Sequence, residues 1–277
     1  MLNNFHSVLM LSCHNEKHLK KIPLLEADCI MLNLEDGVSK EQKPLALKQC
    51  CEALINYADE KKMFVVRVNA LEEGGYEEIK TLNSFKPDAI RVPKIKKPSE
   101  VQSILDILDD DIELHLSIET AESWQNLNLL KVSLRVTCFY LGVLDLFADM
   151  KLPQSIIKKE NPTMLYMLSH FLISCKSIGI KPVSFVYQEY KNTDEFLGWI
   201  TLEKEMGYDA KGCISPQQVK LLNKLFSDNE AEIKKAKEII ELFEQNQKKG
   251  ITGFSHEKYG FIDEPIYKGA LVITKGV

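Results

Sequence analysis

Short apolar runs recur eight times along the chain, separated by stretches whose apolar residues fall at helical spacing. The runs occupy residues 7–11 (SVLML), 28–34 (DCIMLNL), 63–69 (MFVVRVN), 88–94 (DAIRVPK), 112–118 (IELHLSI), 136–142 (VTCFYLG), 182–187 (PVSFVY) and 211–215 (KGCIS). Val, Ile, Phe and Tyr are frequent in them, as the pleated surface of a strand favours. Residues 41–60 (EQKPLALKQCCEALINYADE) and 162–179 (PTMLYMLSHFLISCKSIG) are examples of the amphipathic segments between. Strand alternating with helix implies parallel strands buried on both faces. Eight such units predict an α/β fold closed as a (β/α)8 TIM barrel. An open doubly wound sheet is the alternative, but its Rossmann form lacks the GxGxxG that should follow an early strand.

Beyond the eighth run the pattern changes. Residues 217–226 read as the eighth helix and residues 228–249 as a charged helical stretch. A glycine-punctuated tail follows, GITGFSHEKYGFIDEPIYKGALVITKGV. The division expected is a barrel catalytic domain over residues 1–227 and a helical and extended C-terminal segment over residues 228–277.

Composition narrows the class further. The length of 277 residues suits an α/β barrel, which commonly takes about 250. With 45% apolar and 27% charged residues the chain is ordinary globular protein. A net charge of -5 carries no general nucleic-acid footprint and suits a soluble protein. Seven cysteines include the neighbours Cys50 and Cys51 but no CxxC. An odd number without a secretory signal predicts reduced thiols and a cytoplasmic location. The apolar start, MLNNFHSVLMLSC, lacks a basic leader and is too short to span a membrane. His14 and His18 stand four apart, but with no third ligand nearby they read as a solvated helix face.

Catalytic groups of an α/β barrel gather where strands end. The second run ends in NLEDG, bringing Asn33, Glu35 and Asp36, and the third in Arg67 and Asn69. The fourth ends in Lys94, the fifth in Glu119, and the sixth in Gly142 with Asp145 just beyond. Each alone has a structural explanation, such as a turn acid before glycine or a rim lysine. Converging on one mouth, they suggest chemistry. Glu119 and Asp145 are hard oxygen ligands on neighbouring strands, a set that suits Mg²⁺ completed by water and substrate oxygens. Arg67 can grip a carboxylate through two parallel hydrogen bonds. A metal beside an arginine fits a small oxo acid and aldol or Claisen-type carbon–carbon chemistry.

At these residues the sequence resembles the citrate lyase beta subunit-like family, within the HpcH/HpaI aldolase superfamily. The matching pieces run in order as CIMLNLEDGV, FVVRVNA, DAIRVPKI, LSIETAESW, YLGVLDLFADM, GYDAKGCISPQQV and GFIDEPIYKGA. The resemblance implies a (β/α)8 barrel that binds Mg²⁺ and assembles as a homotrimer or hexamer. It implies cleavage or formation of a carbon–carbon bond in a CoA thioester of malyl, citramalyl or citryl type, giving an acyl-CoA and a 2-oxo acid. Carried over by residue, it places the metal on Glu119 and Asp145 and the substrate carboxylate on Arg67. Asn69, Lys94 and Gly142 line the substrate, and Glu35 and Asp36 support the metal's water shell. Asp263 of FIDEP resembles an acid/base that related lyases contribute from a neighbouring subunit's C-terminal segment. The residues themselves leave Asp263 open as a turn acid before Pro265.

The pattern departs from the family at several points. The usual RSxLFxP is HSVLMLS, with His6 for Arg and Ser12 near the expected Pro. The usual DLED is NLED, with Asn33 for an acid, and GKxxIHPxQ has become AKGCISPQQ, with Ala210 for Gly and Ser215 for His. The expectation is that a cation and an acid are thereby lost near the mouth. Two other readings stand beside the CoA lyase: a class II aldolase on free hydroxy acids, and a non-catalytic relative that binds metal and ligand.

Overall fold

The computed structural model describes residues 5–227 and 230–275. The chain forms two compact units, Leu2–Asn223 and Lys224–Val277. All eight predicted strands are present: β1 (Ser7–Ser12), β2 (Cys29–Asn33), β3 (Met63–Arg67), β4 (Ala89–Val92), β5 (Glu113–Ile118), β6 (Val136–Leu141), β7 (Lys181–Val183) and β8 (Lys211–Cys213). They pair in parallel in the order β7-β6-β5-β4-β3-β2-β1-β8. The two outer strands meet at a bridge between Ser184 and Lys211, where Ser184 N–H donates to Ala210 O at 3.1 Å. That bridge closes the sheet into the expected (β/α)8 barrel. The helices between and after the strands are α1 (Glu16–Leu19), α2 (Lys43–Asn56), α3 (Gly75–Leu82), α4 (Pro98–Leu105), α5 (Ala121–Gln125), α6 (Val143–Asp149), α7 (Pro162–Ser177), α8 (Thr193–Met206) and α9 (Pro216–Ser227).

β2 and β3 are buried at every position, as a parallel sheet covered on both faces requires. Alternation then sends every second side chain inside the barrel. The interior is filled by Val8, Met31, Val65, Ala89, Cys138 and Tyr140, among others. Nearer the C-terminal ends the interior row turns polar: Asn33, Arg67, Arg91 and His115 are successive Cα partners across β2, β3, β4 and β5. An apolar plug below and a polar row above fix where chemistry can occur.

Several strands stop earlier than the apolar runs suggest. β3 ends at Arg67 rather than residue 69, and β4 at Val92 rather than residue 94. There the backbone turns outward to build the mouth, and Lys94 takes a left-handed conformation with φ 55°.

The closing bridge is backed by a fully buried ion pair. Lys211 Nζ lies 2.7 Å from Glu203 Oε1 and donates to Phe185 O at 2.8 Å. Ser184 Oγ donates to the same Glu203 oxygen. Burial holds the Glu203 carboxyl above its ordinary range despite the attraction of Lys211.

The second unit contains α10 (Glu230–Gln247), an antiparallel pair β9 (Gly253–His256) and β10 (Gly260–Asp263), and α11 (Glu264–Lys275). Its own small core joins Ala236, Ile239, Phe243, Ile262 and Ala270, with the Tyr267 ring stacked 4.5 Å from that of Phe243. Among the described residues no helix is long and apolar enough to cross a membrane. All seven cysteines are free and buried.

Candidate active site

A cavity of about 280 Å³ opens at the C-terminal ends of the strands, and Asp36, Arg67, Arg91, Glu119, Gly142 and Asp145 are among its lining residues. Five of these were expected from the sequence. Arg67 is the hub. Its Nη2 pairs directly with Glu35 Oε2 and lies 3.4 Å from Asp36 Oδ2 and 3.9 Å from Glu119 Oε2. Its Nε is buried without a hydrogen-bond partner among the described residues. Arg67 also lines the cavity, and a guanidinium there is suited to grip an incoming carboxylate.

Glu119 is held with unusual care. Its Oε1 accepts the Lys94 backbone N–H at 2.8 Å, which the left-handed turn at Lys94 aims toward it. Strained backbone of this kind costs about 1–3 kcal/mol and persists where surrounding structure enforces it. On its other side lies Gly142: a Cβ there would sit 2.6 Å from both Glu119 Cβ and Oε2. Only glycine leaves room. The next residue, Thr120, caps α5 by accepting the Ser123 N–H at 3.0 Å. So the strand ends, the acid is presented, and the helix starts within two residues.

The NLEDG turn explains one departure. Asn33 Nδ2 donates to the Asp36 carbonyl at 2.6 Å, a bond that a carboxylate could not make. Gly37 supplies the positive φ, 83°, that completes the turn. Glu35 is buried, and its carboxyl is pushed up to about 7 by burial, with Asp36 and Glu119 adding to the rise and Arg67 opposing it. Lys94 Nζ stands 3.7 Å from Glu35 Oε1. Asp145, in the first turn of α6, is exposed to the cavity side and makes no ion pair among the described residues.

The donor set fits Mg²⁺. That ion commonly takes one or two protein carboxylates and fills its octahedron with water and substrate oxygens. Glu119 and Asp145 line one cavity, and among the described residues no group of three His, Cys, Asp or Glu forms an all-protein cage.

Other residues fall elsewhere. Asn69 is buried, with its amide nitrogen donating to Glu78 and its oxygen accepting from Lys43. Its side chain is thus engaged in the wall rather than open to a ligand. His6 corrects an expectation: it precedes β1, at the opposite end of the barrel from the mouth. There its backbone N–H donates to Asp28 Oδ2 at 2.8 Å and its ring contacts Asp209 O at 2.7 Å. The missing arginine therefore removes no cation from the mouth. Ser215 Oγ accepts the Gln218 N–H at 3.2 Å and caps α9. Asp263 ends β10, and its Oδ1 accepts the Ile266 N–H at 3.1 Å at the start of α11.

Arg91 was not anticipated. It lies inside β4, and its Nε donates to Ser117 Oγ at 2.9 Å while its guanidinium stands 4.2 Å over the Tyr140 ring. Burial, and secondarily the charge of Arg67, push its pKa down to about 10, so it stays charged at neutral pH. The only sequence signal was an arginine at an inward position of an otherwise apolar strand.

A (β/α)8 barrel whose mouth combines two metal-competent carboxylates with an arginine defines a class of metal-assisted enzymes acting on small acids. The sequence profile of the HpcH/HpaI aldolase/citrate lyase family matches residues 6–216, and the chain belongs to that family. Among its relatives, a (3S)-malyl-CoA thioesterase of Cereibacter sphaeroides (strain ATCC 17025 / ATH 2.4.3) is 28% identical over 89% of this chain and 85% of its own length. The mitochondrial citramalyl-CoA lyase of Homo sapiens is 29% identical over 95% of this chain and 83% of its own. The crystal structure of the protein CitE from Mycobacterium tuberculosis, in complex with magnesium, acetoacetate and coenzyme A, shares the fold. It superposes with a TM-score of 0.77 at 17% identity, over 100% of this chain and 99% of that one.

Proposed function

We propose that this chain is a Mg²⁺-dependent carbon–carbon lyase acting on a short hydroxyacyl-CoA thioester of malyl, citramalyl or citryl type. The observation that carries the reading is the single cavity at the barrel mouth that gathers Arg67, Glu119 and Asp145. The names of the relatives, CoA thioester enzymes of both lyase and thioesterase kind, support the substrate class.

Glu119 and Asp145 would hold the metal, and Glu35 and Asp36 would order its water. Bound there, Mg²⁺ supplies Lewis-acid polarisation of the acid's oxygen. Arg67 takes the acid's carboxylate and fixes its orientation. In cleavage a base removes the substrate's hydroxyl proton, the carbon–carbon bond breaks, and its electron pair passes to the thioester's α-carbon. The hydroxyl carbon becomes the carbonyl of a 2-oxo acid. A proton delivered to the α-carbon completes the acyl-CoA, and Asp263 of a neighbouring subunit is the candidate donor. Lys94 stands at the rim to meet the substrate's charge. Gly142 secures the carboxylate position of Glu119, and Asn69 shapes the wall. This reading entails a homotrimer or hexamer in which residues 228–277 reach a neighbour.

A second reading comes from the thioesterase relatives: water attacks the thioester carbonyl and releases free CoA. Product analysis separates them. Malyl-, citramalyl- and citryl-CoA are incubated with the protein and Mg²⁺, and the products resolved by mass spectrometry beside a free-thiol assay. The lyase yields acyl-CoA and a 2-oxo acid with no new thiol. Free CoA and intact hydroxy acid would overturn it in favour of hydrolysis. Cleavage of free acids alone would favour a class II aldolase. No turnover, with metal-dependent thermal stabilisation by an oxo acid, would favour a non-catalytic relative.

A further inference from the structure

Arg91 carries a charge that no ion pair meets among the described residues, although the carboxylates of Glu119 and Glu35 act on it from farther off. The ion pairs at the mouth go to Arg67, from Glu35, Asp36 and Glu119, and to Lys94, from Glu35. Among the described residues no carboxylate reaches ion-pair distance of Arg91. Its partners are neutral: Ser117 Oγ, the Met31 thioether at 3.2 Å from Nη1, and the Tyr140 ring. The residue is only 6% exposed. Desolvating a guanidinium without a paired anion is costly, and an aliphatic residue would fill the barrel without that cost.

Its position suggests what balances it. Arg91 lines the mouth cavity together with Arg67, and it also lines a void of about 20 Å³ that shares Met10, Leu141 and Val186 with that cavity. It therefore stands on the floor. Arg67 and Arg91 are Cα partners on adjacent strands, a separation of about 4.8 Å, with both side chains turned inward. Two cations so placed suit two anionic groups joined by a short carbon chain.

We propose that Arg91 is a specificity-determining residue that holds the second carboxylate of a 2-oxo dicarboxylic acid. The acid released by the enzyme is then a dianion rather than a monocarboxylate such as pyruvate or glyoxylate. This rests on the oxo-acid site proposed above and extends it to the charge of the substrate.

The test is calorimetric binding of oxaloacetate, 2-oxobutyrate and pyruvate to the full chain in saturating Mg²⁺. Oxaloacetate and 2-oxobutyrate differ by a carboxylate in place of a methyl group. Wild type should bind oxaloacetate at least about tenfold more tightly than 2-oxobutyrate, as a buried charge-assisted pair implies. Arg91→Met should bring that ratio near one while pyruvate affinity is kept, and Arg91→Lys should lower it only in part. A wild-type ratio near one overturns the proposal and needs no variant to fold. So does a ratio unchanged in Arg91→Met, which removes the charge. Equal binding of all three acids overturns this inference alone, whereas binding of none overturns the oxo-acid site as well.

Discussion

At the scale of single residues, the site depends on how tightly Glu119 is seated. A methyl group at residue 142 would collide with its carboxylate. Gly142→Ala should therefore cut kcat/KM at least about tenfold, since displacing a positioned group by an ångström costs rate steeply. Stability should fall as well, by the about 1–3 kcal/mol that overpacking costs; a fully active Gly142→Ala enzyme would show that Glu119 does not need its present position. Asp263 has two candidate roles, and one substitution separates them. Asn caps a helix as well as Asp, so Asp263→Asn should preserve the bond to Ile266 N–H while removing the proton donor. Turnover should fall about 10²–10⁴-fold with the melting temperature unchanged. Retained turnover would leave Asp263 as a cap alone.

Residues differed in how far the sequence disclosed them. Arg67, Glu119 and Asp145 were legible because successive strand ends of a barrel converge on one mouth, and all three line the same cavity there. Arg91 was not, because within β4 it reads as one more inward position, and only the pairing of neighbouring strands reveals that it adjoins Arg67. Asn69 looked open to a ligand, but Glu78, nine residues on, occupies its amide. His6 immediately precedes the first run, which places it at the far end of the barrel from the mouth.

At the scale of elements, the eight strands were readable because burial on both faces leaves near-continuous apolar runs. Their ends were not, because the mouth is built by backbone that leaves the ladder while the apolar pattern continues. The seam between β7 and β8 rests on the buried Lys211–Glu203 pair. Lys211→Met should destabilise the fold by about 3–5 kcal/mol, because it strands a buried carboxylate. Lys211→Met with Glu203→Leu should recover much of that loss in chemical denaturation. A single variant as stable as wild type would mean the pair contributes nothing to closure.

His115, inside β5, adds a pH dependence. It is fully buried, and burial lowers its pKa below the ordinary 6.5, with Glu113 partly opposing and Arg91 adding to the fall. Between the folded and unfolded values the unfolded chain binds more protons, so stability falls as pH drops below about 6.5. It levels off once folded His115 itself protonates. Urea midpoints measured from pH 7.5 down to 5 should decline, and His115→Gln should flatten the part of that decline nearest pH 6.5.

At the scale of the whole molecule, the C-terminal unit exposes Phe261, Ile266 and Val272, the last at 74%. Large apolar side chains left exposed on one small unit are expected where a partner covers them. Light scattering should give a trimer or hexamer, and Val272→Glu should shift it toward monomer with loss of turnover; a wild-type monomer with full activity would remove the neighbouring subunit from the mechanism. The cavity that gathers Arg67, Glu119 and Asp145, by contrast, is lined by the barrel's own strand ends and the turns and helix starts that follow them. The measurement that tests this most directly is the rate of acyl-CoA release from the preferred thioester against Mg²⁺ concentration, for wild type, Glu119→Gln and Asp145→Asn. Wild type should saturate with Mg²⁺ and stop in EDTA, while both variants should need at least about tenfold more metal and turn over about a hundredfold more slowly. Variants that follow the wild-type metal curve, or a wild-type rate indifferent to EDTA, would contradict the placement of the reaction at this mouth.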